Sequence, residues 1–144
     1  MLSQKHGRAI CTSIDDASTK YGVSSAVIAA VIAQESSFKV RAKGSAGEIG
    51  LMQIKPSTAK WVCKKNKLKW RGANSLYSPR VNVEIGTAYL SMLLKKFKNG
   101  KRAIRAYNAG PHGKQKRSYS VGVSRKLVAM QVHELPVMGD ILIP

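Results

Sequence analysis

Glu35 places a carboxyl group on a helix face that is otherwise apolar. Val27, Ile28, Val31 and Ile32 fall at helical spacing, and Glu35 follows Val31 by four positions and Ile32 by three. Burial on that face disfavours the charged form, as does the negative end of a helix dipole, and apolar neighbours supply little to stabilise the ion. A carboxylic acid that stays protonated near neutral pH can serve as a general acid, and protonation of a glycosidic oxygen is its best-known use. The residues alone leave a second reading open. With 25 lysines and arginines against seven acidic residues, Glu35 could simply close an ion pair. Glycoside hydrolysis normally needs two carboxylates. Asp15 and Asp16 sit among polar residues and read as solvated. Glu84 lies off the apolar stripe of its helix and is placed to meet a lysine. Glu48, in a glycine-rich loop, is the one plausible second carboxylate. The chain thus offers one strong carboxyl group and one weak one.

The elements that must position these groups read as helical almost throughout. Ile10, Ile14, Ala17 and Tyr21 pattern a first helix over residues 4–21, ended by Gly22. Ser24 or Ser25 opens the helix that carries Glu35, to residue 37. Residues 41–50 hold three glycines and read as a loop, and residues 51–54 are a short apolar piece. Pro56 starts a helix to residue 65, and residues 66–77 read as a polar, basic connection. Ser78 and Pro79 open a long helix to residue 97. Asn99 and Gly100 break it, and a helix of about ten residues follows, closed by Asn108, Gly110 and Pro111. A last helix covers residues 119–131, and the apolar segment 133–144 reads as an extended tail. The fold class is therefore mainly α, with at most a small β element near residues 44–54.

The 144 residues suggest one domain over 1–144. The longest apolar run, residues 26–33, is too short to span a membrane. The first residues are polar and contain no export signal. The net charge of +18 predicts attraction to polyanions, and charge alone does not choose among nucleic acid, anionic lipid and an anionic cell wall. Cys11 and Cys63 stand 52 positions apart, and His6, His112 and His133 are scattered. No metal and no cofactor are expected. Two unpaired buried thiols are favoured over a disulfide, a balance that an extracytoplasmic location would shift.

Four motifs, in order, carry a resemblance. They are Glu35, Ser36, Ser37, Phe38; then Gly50, Leu51, Met52, Gln53, Ile54 with Pro56, Thr58 and Ala59; then Pro79, Asn82, Gly86, Tyr89, Leu90; then Ala106, Tyr107, Asn108, Ala109, Gly110. Over residues 8–130 the chain resembles the lytic transglycosylases of the soluble lytic transglycosylase family, relatives of goose-type lysozyme. The resemblance implies a lysozyme-like helical domain with a groove for a glycan strand. It also implies cleavage of the β-1,4 bond between N-acetylmuramic acid and N-acetylglucosamine in peptidoglycan, leaving a 1,6-anhydro product. Glu35 matches the single acid and base of that reaction. Ser36 matches a serine that hydrogen-bonds substrate or orders the site. Met52 and Gln53 match residues lining the groove, Tyr107 and Asn108 match the pair facing the glutamate, and Tyr119 stands for a tyrosine beside the carboxyl group.

Glu48 departs from the commoner alanine and leaves open some hydrolase character, as in a lysozyme-type muramidase. A non-catalytic basic wall-binding or nucleic-acid-binding module is a further alternative; Glu35 and the motif set argue against it, so no nucleic acid is expected. The expected partners are peptidoglycan strands and anionic wall polymers, met by a monomer outside the cytoplasmic membrane: in the cell envelope, secreted, or on a phage particle. Residues 60–71, with six basic side chains, and the segment after residue 131 match no motif.

Overall fold

The computed structural model describes residues 4–110, 113–114 and 117–134, with side chains described as far as residue 130. The order is α1 (Gln4–Tyr21), α2 (Ser25–Ser36), α3 (Pro56–Lys65), a 3-10 segment (Ala73–Tyr77), α4 (Pro79–Phe97), α5 (Gly100–Ala109) and α6 (Arg117–Glu134). The fold is mainly α, as the periodicity indicates. Extended pairing among the described residues is confined to isolated antiparallel bridges, Lys43 with Ile49 and Ile49 with Ile54.

Two boundaries differ from the sequence reading. The connection after α3 contains a 3-10 turn, where the Ser75 hydroxyl donates to the Gly72 carbonyl at 2.6 Å and Leu76 is fully buried. One buried residue is too short a signal for periodicity to register. The last helix starts at Arg117 and runs through Glu134, so residues 133 and 134 belong to it rather than to a tail. Pro111 and the rest of the expected tail, residues 135–144, lie outside the described residues.

Helix α4 is the centre of the body. It packs on α1, α3, α5 and the 3-10 segment, so it is buried on nearly every side, from Asn82 to Leu93. Its start is fixed by Pro79 and by the Ser78 hydroxyl, which accepts the Val81 N–H. Gly86 lets the 50–54 loop approach: a Cβ there would lie 2.4 Å from the Met52 sulfur. Helix α2 is apolar almost all round because it is held between α1 and α6. It stops one residue after Glu35. Ser37 and Phe38 take left-handed φ values of 50° and 62°, and the Ser37 N–H donates to the Ala33 carbonyl at 3.1 Å.

Asn82 ties α4 to the loop below the groove. It is fully buried. Its Oδ1 accepts the Met52 N–H at 2.8 Å, and its Nδ2 donates to the carbonyls of Ile49 and Leu76, both at 2.9 Å. All its polar atoms are thereby matched in a water-excluded place. Gly50, at φ 76°, lies against it with no room for a Cβ, which would come within 2.5 Å of the Leu76 carbonyl. Asn82→Ala strands three buried backbone groups and is expected to destabilise the fold by about 2–4 kcal/mol. Urea denaturation reads this as a lowered midpoint with an unchanged slope.

Candidate active site

Glu35 comes from the last turn of α2 and is largely buried. Its Oε1 accepts a hydrogen bond from the Tyr119 hydroxyl at 2.5 Å. Among the described residues no lysine or arginine reaches it. The salt bridge present is instead Lys20 to Glu84 at 2.7 Å, the surface pairing anticipated for Glu84. The ion-pair reading of Glu35 is therefore not the one the fold adopts. Desolvation dominates and pushes its pKa from 4.5 up to about 7; the Tyr119 hydrogen bond pulls the other way, and the charge of Glu48 adds a smaller upward push.

Tyr119 is delivered by the packing of α6 on α2. Gly122, one turn beyond it, has no side chain, and a Cβ there would press within 2.7 Å of the Gln34 amide oxygen. That same oxygen accepts from Lys126 Nζ at 2.9 Å. The neighbour of Glu35 on α2 is thus held against α6 one and two turns beyond Tyr119. Burial, and then the charge of Glu35 beside it, raise the Tyr119 pKa far beyond its ordinary value, so the phenol remains a donor at any working pH.

The other expected residues divide by where the fold puts them. Ser36 is buried, its hydroxyl 2.7 Å from the Leu51 carbonyl and 3.1 Å from that of Ile32. Its single proton is committed to backbone, which fits ordering the site and not binding substrate. Met52 is a correction: it is fully buried against Gly86 and Thr87 and does not line the groove. Its contribution is through its backbone, whose carbonyl accepts from the Tyr107 hydroxyl at 2.8 Å. The apolar side chain that matched a groove position was filling the core beside a helix glycine.

Gln53, Tyr107, Asn108 and Glu48 do converge. With Ile54, Lys55, Thr58, Tyr89, Ala109 and Gly110 they line a cavity of about 130 Å³. Gln53, at φ 48°, donates through Nε2 to the carbonyls of Gly50 at 2.9 Å and Ala42 at 3.2 Å. Its amide nitrogen is used to shape the loop. Glu48 accepts the Ala46 N–H at 3.0 Å and stands over Gly44, where a Cβ would collide with both it and Gln53. Tyr107 is buried, and burial together with the charge of Glu35 raises its pKa well above the ordinary value. Asn108 is exposed on the cavity wall. Tyr89 and Thr58 were not singled out as site residues, although both lie in the quoted motifs. Tyr89 falls on the apolar side of α4 with Val81, Ile85 and Ala88, a spacing that does not mark a site. Cys11 and Cys63 are unpaired; Cys11 is exposed, against the expectation that both thiols are buried.

A helical body with a desolvated carboxyl group beside a polar groove is the lysozyme-like class of fold. Within it, the sequence matches the Transglycosylase SLT domain over residues 12–126, and the chain belongs to that family. It is 38% identical over 91 residues to the soluble lytic murein transglycosylase of Salmonella typhimurium, covering 62% of this chain and 14% of that protein. It is 45% identical over 80 residues to the membrane-bound lytic murein transglycosylase E of Buchnera aphidicola from Acyrthosiphon pisum, covering 54% of this chain and 36% of that one. Among solved structures, an inactive Glu-to-Gln form of the lytic transglycosylase Slt from Pseudomonas aeruginosa superposes with a TM-score of 0.77 at 27% identity, over 90% of this chain and 25% of that one. The chain thus spans only a minor part of the length of these relatives.

The raised carboxyl pKa has a consequence for stability. Between the unfolded value of 4.5 and the folded value of about 7 the native state holds more protons than the unfolded one, so stability falls as pH rises through that window. Glu35→Gln removes the penalty while keeping an oxygen for Tyr119. Thermal unfolding should show the variant more stable than the parent at pH 8, on the order of 2 kcal/mol, and equal to it below pH 4.5.

Proposed function

We propose that this chain is a peptidoglycan lytic transglycosylase unit. It cleaves the β-1,4 bond between N-acetylmuramic acid and N-acetylglucosamine and leaves 1,6-anhydro ends. The observation that carries this reading is the Glu35 carboxyl group, held near pKa 7 by burial with the Tyr119 hydroxyl as its hydrogen-bond partner. Protonated, Glu35 donates its proton to the glycosidic oxygen as that oxygen leaves the anomeric carbon. The resulting carboxylate then accepts the proton of the muramic acid 6-hydroxyl as its oxygen bonds to the same carbon. One group acts in both directions, so a pKa near the working pH suits it better than a strong or a weak acid. Tyr119 holds the carboxyl group in place and stabilises its ionised form. Gln53, Tyr107 and Asn108 line the cavity for the glycan, while Glu48 supplies a charge that favours the protonated state of Glu35.

The surface fits such a substrate. Lys60, Lys64, Lys65, Lys67, Lys69 and Arg71 are all exposed, and Lys101, Arg105, Arg117 and Arg125 line an open cleft of about 610 Å³ between α5 and α6. These cations supply long-range attraction to anionic wall polymers. No helix among the described residues is long and apolar enough to cross a membrane. We place the site of action outside the cytoplasmic membrane, where peptidoglycan lies, and the working form as a monomer.

Glu35→Gln is expected to abolish turnover of purified peptidoglycan, a loss of at least about a thousandfold, while leaving the fold intact. Mass spectrometry of the parent digest should find 1,6-anhydro-muramic acid ends. Reducing ends in their place would assign the reaction to hydrolysis, with Glu48 as the second carboxylate.

A further inference from the structure

Trp61 is the one exposed aromatic side chain among the large apolar residues left at the described surface, at 45% exposure; the other two, Val121 and Val128, are on α6. It stands on α3 one turn beyond Thr58, which lines the cavity. Its ring meets that of Tyr89 edge to face, with centroids 6.4 Å apart and an interplanar angle of 87°. Tyr89 in turn lies 5.3 Å from Tyr107. Tyr107 and Tyr89 both line the cavity, so an unbroken aromatic row leads from the groove beside Glu35 out to Trp61.

Resting on the function proposed above, we infer that Trp61 is a stacking platform for a sugar residue of the glycan distant from the cleaved bond, and so selects for long strands. In a T-shaped contact Tyr89 covers at most one face of the indole, and 45% of the residue's surface stays exposed. A pyranose ring presents a flat patch of C–H groups that packs on such a face, while its hydroxyl and N-acetyl groups stay in water. The neighbouring side chains fit that use. Thr58 supplies a hydroxyl, and Lys60 and Lys64 are exposed beside the tryptophan on α3. A protein-docking surface would instead group several apolar side chains, and no other exposed large apolar residue is on α3.

The test uses the whole chain. In a protein carrying Glu35→Gln and Trp70→Phe, Trp61 is the sole indole. Its fluorescence should shift on adding N-acetylglucosamine hexasaccharide and stay unchanged with the disaccharide. In an otherwise unaltered enzyme, Trp61→Ala should raise KM for long, un-crosslinked glycan strands about three- to tenfold with kcat unchanged. It should leave short substrates unaffected, and Trp61→Tyr should restore most of the loss. An unchanged KM on long strands, or an equal loss on short and long ones, would overturn the inference. The two readings fail separately. If the parent cleaves peptidoglycan while Trp61 stays silent, only the platform falls; if the parent neither cleaves nor binds glycan, both fall.

Discussion

The structure depends on keeping one carboxyl group out of water without giving it a cation. Glu35 achieves this because α2 is apolar on almost every face and is held between α1 and α6. A lysine in reach would have fixed the carboxylate as an ion and removed its capacity to donate a proton near neutral pH. In a chain with 25 cations, keeping every described lysine and arginine away from this place is a demanding constraint. The packing of α6 meets it by presenting a neutral donor, Tyr119, to the carboxyl group, and by turning Lys126 to Gln34 instead. Lys20, a cation within the body's reach, is occupied by Glu84.

The loop that faces Glu35 is held by equally specific means. Asn82 matches three backbone groups of the 49–52 and 3-10 segments, Tyr107 closes on the Met52 carbonyl, and Ser36 on that of Leu51. These side chains touch different parts of one irregular stretch of backbone that has no sheet to support it. Glycines allow the contacts: Gly50 admits Asn82, Gly86 admits Met52, and Gly44 leaves space for Glu48 and Gln53. Asn82, Ser36 and Thr87, three of the buried polar side chains, thus gather around the loop that forms the groove floor. The carboxyl group itself works against stability once ionised, so the site and the fold pull in opposite directions above neutral pH.

Much of this was legible in the residues. The helices from α1 to α5 follow from apolar spacing and from punctuation by Gly22, Pro56, Ser78, Pro79 and Asn99, because local signals of that kind act within a turn or two. Glu35 stood out by its place on an apolar stripe. Less was legible where a role depends on which side chain fills a given space. Met52 and Gln53 are adjacent in one motif, yet one enters the core against Gly86 and the other faces the cavity; a left-handed φ at Gln53 makes the difference, and no spacing rule reveals it. Tyr89 is nearly buried, and its remaining surface lines the cavity, which its spacing along α4 does not show. Trp61 gave no periodic signal at all. Its interest comes from the contact with Tyr89, which only the crossing of α3 on α4 creates.

The central claim is that the fold alone holds Glu35 protonated near neutral pH. Carbon-13 NMR titration of glutamate side-chain carboxyl groups, with Glu35→Gln to assign the resonance, measures this in the free protein without substrate. The account predicts that Glu35 titrates at about 7, and higher still in Tyr119→Phe, where the hydrogen bond that favours the ion is gone. A Glu35 midpoint near 4.5, unmoved by loss of the Tyr119 hydroxyl, would contradict it.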